Sequence, residues 1–174
     1  MRLDCGKCVV RDWSRDDKPS LLLHANNRNV WRNLTDRFPY PYTETDAEAW
    51  FTMLDGMPEL THWAIEVDSC AVGGIGCIVG KGSHAKSAQF GYWLGEAYWG
   101  RGVMSAAVQR VAPFLLAHFK LVRLESPVFA WNPASMRVLE RAGFAREGVR
   151  RSAVVKDGQI IDEVMYALVG GTQG

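Results

Sequence analysis

The segment Tyr98-Trp99-Gly100-Arg101-Gly102-Val103 constrains the fold of this 174-residue chain more than any other feature. It follows a run at 88–94 whose apolar side chains alternate as in a β-strand, and it precedes an apolar helical pattern at 102–119. A second strand-like run follows at 122–129. Two strands joined through a helix pair in parallel, so the sequence predicts one parallel crossover with the glycines in the turn that opens its helix.

Two glycines at the start of a helix leave room for a negatively charged group. The first amides of a helix have no acceptors inside the helix, and the helix dipole places partial positive charge at the same end. Gly100 and Gly102 remove the side chains that would keep a phosphate away from the amides of residues 101–105, and Arg101 adds a cation. The segment therefore predicts an anion site, with a purely structural tight turn as the alternative.

Two common phosphate-binding motifs do not fit this turn. A dinucleotide fingerprint has a third glycine or alanine three residues after Gly102, where this chain has Ser105. It also requires strands that alternate with helices, whereas three strand-like runs follow one another here, at 62–67, 71–79 and 88–94. The P-loop is excluded because Gly-Lys is nowhere followed by Ser or Thr.

The other elements complete a mixed α/β pattern. In chain order we predict a strand at 7–13, a helix from the capping box Ser14/Asp17 to Ala25, a short helix at 30–34, a helix from the capping box Thr45/Glu48 to Gly56, the three strands, the long helix, the strand at 122–129, a helix from Asn132-Pro133 to Leu139 with Gly143 as its stop, and strands at 149–155 and 160–168. Asp157-Gly158 predicts a hairpin between the last two strands. These elements predict α/β layers around a central sheet.

Composition limits the class of protein. At 174 residues, of which 48% are hydrophobic, the chain suits one domain at 1–170 with a short C-terminal tail at 171–174. A net charge of +1 is not the basic excess typical of nucleic-acid binding, so we expect no nucleic-acid partner. No apolar run reaches the roughly 18 residues of a membrane span, and the N-terminus lacks an export signal. We therefore expect a cytoplasmic protein that makes no membrane contact.

The four cysteines include a pair, Cys5 and Cys8, with the spacing of redox and zinc motifs. A thioredoxin-type pair opens a helix, whereas the residues after Cys8 predict a strand. Cys70 and Cys77 lie in strand-like sequence and do not make a second zinc knuckle. We predict reduced thiols and no metal site, with a redox role for Cys5 and Cys8 left open.

Several segments together resemble the GNAT acetyltransferase superfamily. Its successive motifs are matched by Tyr92-Trp93-Leu94-Gly95, by the glycine turn, and by Asn132-Pro133-Ala134-Ser135 with Gly143-Phe144. The resemblance extends upstream to Phe38-Pro39-Tyr40-Pro41-Tyr42-Thr43 and Asp46-Ala47-Glu48-Ala49-Trp50, and downstream to the hairpin and Asp162, so it covers almost the whole chain. The sequence is most similar to the RimJ/RimL-like branch, which contains the ribosomal-protein N-terminal alanine acetyltransferases.

The resemblance implies a fold and an activity. The fold is the three-layer GNAT type, α/β (α+β), with a mixed, mostly antiparallel central sheet of about seven strands and helices on both faces. The activity is transfer of an acetyl group from acetyl-coenzyme A (acetyl-CoA) to a primary amine, by direct attack of the amine and without a metal. A protein or peptide N-terminus is the first choice of acceptor, and a polyamine, antibiotic or amino acid is the second. A non-catalytic sensor that binds acyl-CoA is the alternative from another class.

The resemblance also implies roles for individual residues. The residues that would bind the cofactor are Trp93, Leu94, Trp99, Gly100, Arg101, Gly102, Val103, Met104, Ser105, Asn132 and Ser135. In that family the amides of the glycine turn hold the pyrophosphate, and the backbone near Trp93 and Leu94, freed where two strands part at a bulge, binds the pantetheine arm. Gly91 fits such a bulge. Ser135 would also act in catalysis by donating a hydrogen bond to the departing sulfur.

The chain departs from the family at two positions. Ala97 stands where the family often has Gln or Arg, three residues before Gly100, so one contact to the cofactor is missing. Gln89 stands where many relatives have a carboxylate, and an amide cannot take a proton. We predict Glu125 as the substitute base, followed by Glu66 and His62. The sequence leaves open whether the chain forms a homodimer.

Overall fold

The computed structural model describes residues 1–171, so the tail predicted at 171–174 lies, apart from Gly171, outside the described residues. The chain forms two compact units. The first contains Met1–Gly76 and Tyr92–Ala107, and the second contains Cys77–Gly91 and the chain from Val108 onward. The single domain at 1–170 stays a prediction.

Eight strands and five helices make up the described chain. In order they are β1 (Arg2–Asp4), β2 (Val9–Arg11), α1 (Lys18–Ala25), α2 (Arg28–Trp31), α3 (Glu44–Asp55), β3 (His62–Val67), β4 (Cys70–Val79), β5 (Ser87–Leu94), α4 (Val103–His118), β6 (Arg123–Phe129), α5 (Pro133–Arg141), β7 (Ala145–Lys156) and β8 (Gln159–Val169). Among residues 1–171, none of these helices combines the length and the apolar character that spanning a membrane requires.

The strand order is β1-β2-β3-β4-β5-β6-β8-β7. β5 and β6 pair in parallel, whereas β1–β2, β2–β3, β3–β4, β6–β8 and β7–β8 pair antiparallel. The predicted crossover through α4 and the mixed, mostly antiparallel α/β fold are confirmed. The sheet has eight strands where about seven were expected.

The additional strand is β1 at the N-terminus, and the strand predicted at 7–13 is present as the shorter β2 at Val9–Arg11. β1 and β2 form a hairpin, and Lys7 and Cys8 belong to its turn: the Cys5 amide donates to the Cys8 carbonyl at 2.9 Å. Gly6 has a φ of +75°, which glycine adopts without strain. Its amide donates to the Asp4 carboxylate at 2.7 Å, which closes the turn.

Two helix starts differ from the prediction. The capping box of α3 is Thr43 with Asp46, two residues before the predicted pair, because Thr43 and Asp46 each bond the backbone amide of the other. The short helix α2 begins at Arg28, since the Asn27 side chain accepts from the amides of Asn29 and Val30. The capping box Ser14/Asp17 and the Asn132 cap of α5 are confirmed.

Each unit has buried apolar side chains of its own. In the first unit, α1 and α3 bury a cluster against which Trp13, Trp50, Phe38 and Trp93 pack; its buried members are Leu21, Ala25, Tyr42, Ala47, Phe51 and Leu54. In the second unit, Phe90 and Phe144 stack with ring centroids 5.7 Å apart. The final hairpin of the second unit turns at Asp157 and Gly158, as predicted.

Candidate active site

The glycine turn lies in the first unit and opens α4. Gly100 and Gly102 have φ of +75° and +78°, a region that disfavours residues with a Cβ. The first amide of the helix with an intrahelical acceptor is that of Ala106, which donates to the Gly102 carbonyl at 3.1 Å. The amides of residues 103–105 therefore have no acceptor within the helix, and the positive end of the dipole of this 16-residue helix lies beside them.

Side chains from outside the turn fix its position. The side-chain amide nitrogens of Asn27 and Asn29 donate to the two carboxylate oxygens of Glu96 at 2.8 and 2.9 Å. The indole of Trp99 donates to the Leu94 carbonyl at 2.8 Å, which joins the turn to the end of β5. These bonds hold the chain immediately before residues 100–102.

Two cations flank the turn. The Arg101 guanidinium lies 5.2 Å from the centre of the Tyr98 ring. The Lys7 ammonium donates to the Arg101 carbonyl at 3.0 Å, and a Cβ added to Gly102 would lie 2.9 Å from Lys7 Nζ. Lys7 was not among the predicted site residues. Asp4 and Gly6 are turn-forming residues that could have indicated the hairpin, but no local pattern indicates which distant element a turn contacts.

The Cys8 thiol of the hairpin turn lies next to the same helix start. Cys8 is buried, with Sγ 3.8 Å from the Val103 carbonyl. The pKa of the Cys8 thiol is raised, mainly by a hydrogen bond with Cys5 and to a smaller extent by burial. A protonated thiol is a weak nucleophile, so this geometry suits packing. All four cysteines are free, and residues 1–171 contain no group of three or more His, Cys, Asp or Glu side chains that could hold a metal ion.

Trp93 and Leu94 end β5 in the first unit. The Trp93 indole lies over Gly74, where an added Cβ would come within 2.7 Å of its Nε1. Phe38 packs against the same indole, with ring centroids 5.4 Å apart. Leu94 is buried, and its carbonyl accepts the bond from Trp99.

The second unit shows where β5 and β6 part. Their parallel pairing runs from Ser87–Arg123 to Gln89–Glu125, although β6 continues to Phe129. A Cβ at Gly91, two residues further along β5, would meet nothing within 4 Å. Open space beside unpaired backbone is the arrangement in which an extended ligand can hydrogen-bond to a strand.

The three predicted side chains of the second unit differ in their surroundings. Asn132 caps α5 by accepting from the Ser135 amide at 3.1 Å, so these two residues lie together at the start of the helix. Ser135 is half-buried. Glu125 is ion-paired with Arg123 at 3.3 Å, and Arg123 also holds Glu147 at 2.5 Å.

The predicted site residues thus belong to both units. The predicted residues of the first unit all lie between positions 93 and 105. They are Trp93, Leu94, Trp99, Gly100, Arg101, Gly102, Val103, Met104 and Ser105. Glu125, Asn132 and Ser135 belong to the second unit. Lys7 joins the first group through a contact that sequence reasoning missed.

Comparison with known proteins identifies the class. The family model described as an acetyltransferase (GNAT) domain matches residues 7–145, which is most of the chain. The chain therefore belongs to the GNAT acetyltransferase family. The GNAT-type fold and the glycine turn, both predicted from the sequence, agree with this assignment.

Individual relatives share limited sequence identity with this chain. The chain is 39% identical over 84 residues to the probable N-acetyltransferase YjcK of Bacillus subtilis (strain 168), an alignment covering 48% of this chain and 46% of YjcK. The alignment thus spans about half the length of that relative. Among solved structures, RimL, a ribosomal L7/L12 alpha-N-protein acetyltransferase in complex with coenzyme A, has a TM-score of 0.81 at 20% identity, covering 97% of this chain and 98% of RimL.

A second solved structure has a different acceptor. The spermidine N-acetyltransferase of Vibrio cholerae, in complex with CoA and spermine, has a TM-score of 0.79 at 19% identity and covers 94% of this chain and 95% of its own. At such identities the likeness shows the fold alone. One fold thus serves protein and polyamine acceptors, and only the site can separate them.

Proposed function

We propose that this protein is an acetyl-CoA-dependent N-acetyltransferase of the RimJ/RimL-like branch, and that its acceptor is the N-terminal amine of a protein or peptide. The observation that carries the proposal is the glycine turn. Three helix-start amides without intrahelical acceptors and two flanking cations converge on one exposed segment of a chain that belongs to the GNAT family. RimL, which has the same fold, is in complex with coenzyme A.

The turn fits the diphosphate of coenzyme A. A Cβ at Gly100 would meet nothing within 4 Å, so the space over this residue is open to a ligand. The amides of residues 103–105 can donate to phosphate oxygens, and Lys7 and Arg101 can neutralise part of the charge. Lys7 thereby offers a contact to the cofactor in a chain that has Ala97 where the family often has Gln or Arg.

Acetyl-CoA supplies a thioester carbonyl that an amine can attack directly. For that reaction the protein must provide a neutral amine, polarise the carbonyl and protonate the departing sulfur. Backbone near Trp93 and Leu94 is proposed to hold the pantetheine arm. The Ser135 hydroxyl, in the first turn of α5, is proposed as the donor to sulfur, and Asn132 holds that turn in position through its cap.

The acidic side chains of the N-terminal helices favour a peptide over a polyamine acceptor. A pocket for a polycation needs carboxylates that are free to bind it. Glu48 is bound by Lys18 at 2.7 Å, and Asp55 is bound by Arg15 at 2.5 Å. Asp46 is held by Thr43 in the capping box of α3. Because these three carboxylates already bind side chains of the protein, they are less available to bind a polyamine.

Calorimetry and a thiol-release assay test the proposal. Acetyl-CoA should bind, and free thiol should appear only when an acceptor is added. The acceptor set would contain peptides beginning with Ala or Ser, the same peptides with acetylated N-termini, spermidine and free amino acids. Release with the free peptides alone supports the proposal. Release with spermidine alone would support the small-molecule alternative, and binding without any release would support a sensor. The cytoplasmic location and the homodimer stay predictions.

A further inference from the structure

His62, on β3, lies over the same sheet face as the indole of Trp93. The register pairs His62 with Gly76 and Ala64 with Gly74, two residues further along, which is about 7 Å on an antiparallel strand. A Cβ at Gly76 would lie 2.9 Å from His62 Cδ2, and one at Gly74 would lie 2.7 Å from Trp93 Nε1. The two glycines form a floor that carries the imidazole and the indole in neighbouring positions.

Aromatic rings surround this floor. Trp50, on α3, meets the His62 imidazole edge to face, with ring centroids 5.5 Å apart. Trp13 packs against Trp50 at 6.2 Å, and its ring also lies 3.4 Å from the Cβ position of Gly74. The imidazole is therefore half-buried in an aromatic environment, which favours its neutral form.

The tautomer of His62 is coupled to the direction of the Thr61 hydroxyl proton. The Thr61 hydroxyl lies 2.8 Å from Nδ1 of His62 and donates to Met57 Sδ at 3.8 Å. When the Thr61 proton is directed to sulfur, the Thr61 oxygen accepts from Nδ1–H and the lone pair of the ring is on Nε2. Within residues 1–171, Nε2 has no hydrogen-bond partner. In that tautomer His62 presents an unoccupied basic nitrogen.

The ring is unprotonated at neutral pH. Burial lowers the pKa of His62 below its ordinary value of 6.5, and the positive charge of Arg37 lowers it further. Within residues 1–171, Arg37 is the one charged side chain whose charge shifts the pKa of His62. A base must be unprotonated before it can accept a proton, and His62 meets that condition.

The two carboxylates that the sequence suggested as bases are both ion-paired with arginine. Glu66 is bound by Arg11 and Arg2, and the hydrogen bond from Arg11 is the main reason that its pKa is lowered. Glu125 is ion-paired with Arg123. Glu66, held by guanidinium groups in this way, is a weaker proton acceptor than a free carboxylate, because protonation would break the pairs.

We propose that His62 accepts, through Nε2 and either directly or through one water, the proton that the acceptor ammonium must lose before its nitrogen attacks. This inference rests on the proposed function, which puts the pantetheine arm that carries the thioester along the backbone near Trp93 and Leu94. The carbon–nitrogen bond forms as the carbon–sulfur bond of the thioester breaks. Of the two protons that the nitrogen loses, one passes through His62 to water and the other ends on the sulfur.

NMR titration of the imidazoles tests the state of His62 without any acceptor. We expect a pKa below 6.5 and the Nδ1–H tautomer in the wild-type protein, and we expect Thr61→Val to weaken the tautomer preference. His84 is the matched control within the same sample, because it is exposed and its Nδ1 lies 3.2 Å from the hydroxyl of the preceding residue, Ser83. A His62 that carries its proton on Nε2, or has a pKa above 6.5, would overturn the inference.

Kinetics test the role. His62→Gln should lower kcat/KM for an Ala-terminated peptide about 100-fold at pH 7 while acetyl-CoA affinity stays within twofold, and His84→Gln should change neither. The wild-type rate should fall as pH drops through the pKa of His62, whereas the Gln variant should lack this limb. A wild type without acceptor-dependent thiol release would overturn the proposed function and this inference together. An active wild type with an equally active His62→Gln variant would overturn this inference alone, and the same measurement on Glu125→Gln would then test Glu125 as the base.

Discussion

The ammonium nitrogen of Lys7 lies 3.0 Å from the carbonyl oxygen of Arg101, although 94 positions separate the two residues in the chain. The contact joins the turn of the β1–β2 hairpin to the glycine turn before α4. A cation held at that point lowers the electrostatic cost of bringing a diphosphate to the helix start. The N-terminal hairpin is therefore part of the anion site that we propose.

Replacing Lys7 with Met should weaken acetyl-CoA binding about fivefold at low salt, because an exposed cation near a phosphate contributes modestly. The loss should shrink as salt is added, since screening reduces the contribution of an exposed charge. Lys7→Arg should keep most of the affinity. Isothermal calorimetry at two salt concentrations measures this. Lys81→Met makes the same charge change at an exposed position outside the site and should bind normally. Equal affinities for the Lys7 and Lys81 variants would contradict the assignment.

Replacing Gly102 with Asp should weaken acetyl-CoA binding at least tenfold, about 1.4 kcal/mol. The φ of +78° strains any residue with a Cβ, that Cβ would lie 2.9 Å from Lys7 Nζ, and the carboxylate would repel the diphosphate. Calorimetry on the folded variant provides the test. Gly148→Asp is the control, because a Cβ there meets nothing within 4 Å and its φ is not positive. A Gly102 variant that folds and binds as the wild type does would exclude the anion site.

Replacing Ser135 with Ala should reduce kcat by about tenfold or more and leave the affinity for acetyl-CoA within about twofold, since a bond to the departing sulfur forms mainly in the transition state. Steady-state kinetics combined with calorimetry separate the two effects. Ser83→Ala removes an exposed hydroxyl elsewhere in the second unit and should change neither quantity. If Ser135→Ala kept the wild-type kcat, the residue would serve only in the first turn of α5.

Replacing Asp17 with Asn should lower the free energy of unfolding by about 2 kcal/mol at pH 7. Asp17 is buried and accepts two bonds of 2.8 Å from Arg11. Burial raises the pKa of this carboxyl, but the bonds from Arg11 and the Ser14 amide outweigh burial, so the pKa in the folded state lies below 3.8.

The sign of the pH dependence follows from that shift. A carboxyl with a depressed pKa stabilises the fold above its unfolded pKa, and the stabilisation is lost as pH falls through the folded-state value. The difference between wild type and Asp17→Asn should therefore be full at pH 7 and smaller at pH 3, as urea unfolding would show. Asp16→Asn, at an exposed position, should stay within about 0.5 kcal/mol at both pH values. The same loss for Asp17→Asn at pH 7 and pH 3 would contradict this account.

Several features were predictable because their causes are local. The positive φ of Gly100 and Gly102, the cap of α5 by Asn132 and the hairpin at Asp157-Gly158 each depend on residue types a few positions apart. The capping box of α3 was misplaced by two residues because Thr43 with Asp46 and Thr45 with Glu48 satisfy the same spacing rule. Local chemistry allowed both starts, and the surrounding structure selected the first.

The sequence by itself therefore determined the parallel crossover, the glycine turn at the start of α4 and the family resemblance, since short-range steric and hydrogen-bonding rules govern turns and helix ends. Only the tertiary structure decided that Lys7 lies against that turn, that Arg11 and Arg123 occupy the carboxylates proposed as bases, and that His62 keeps an unpartnered nitrogen in an aromatic setting. These contacts join residues far apart in the chain. Which charges meet, and which are buried, depends on packing that no local pattern encodes.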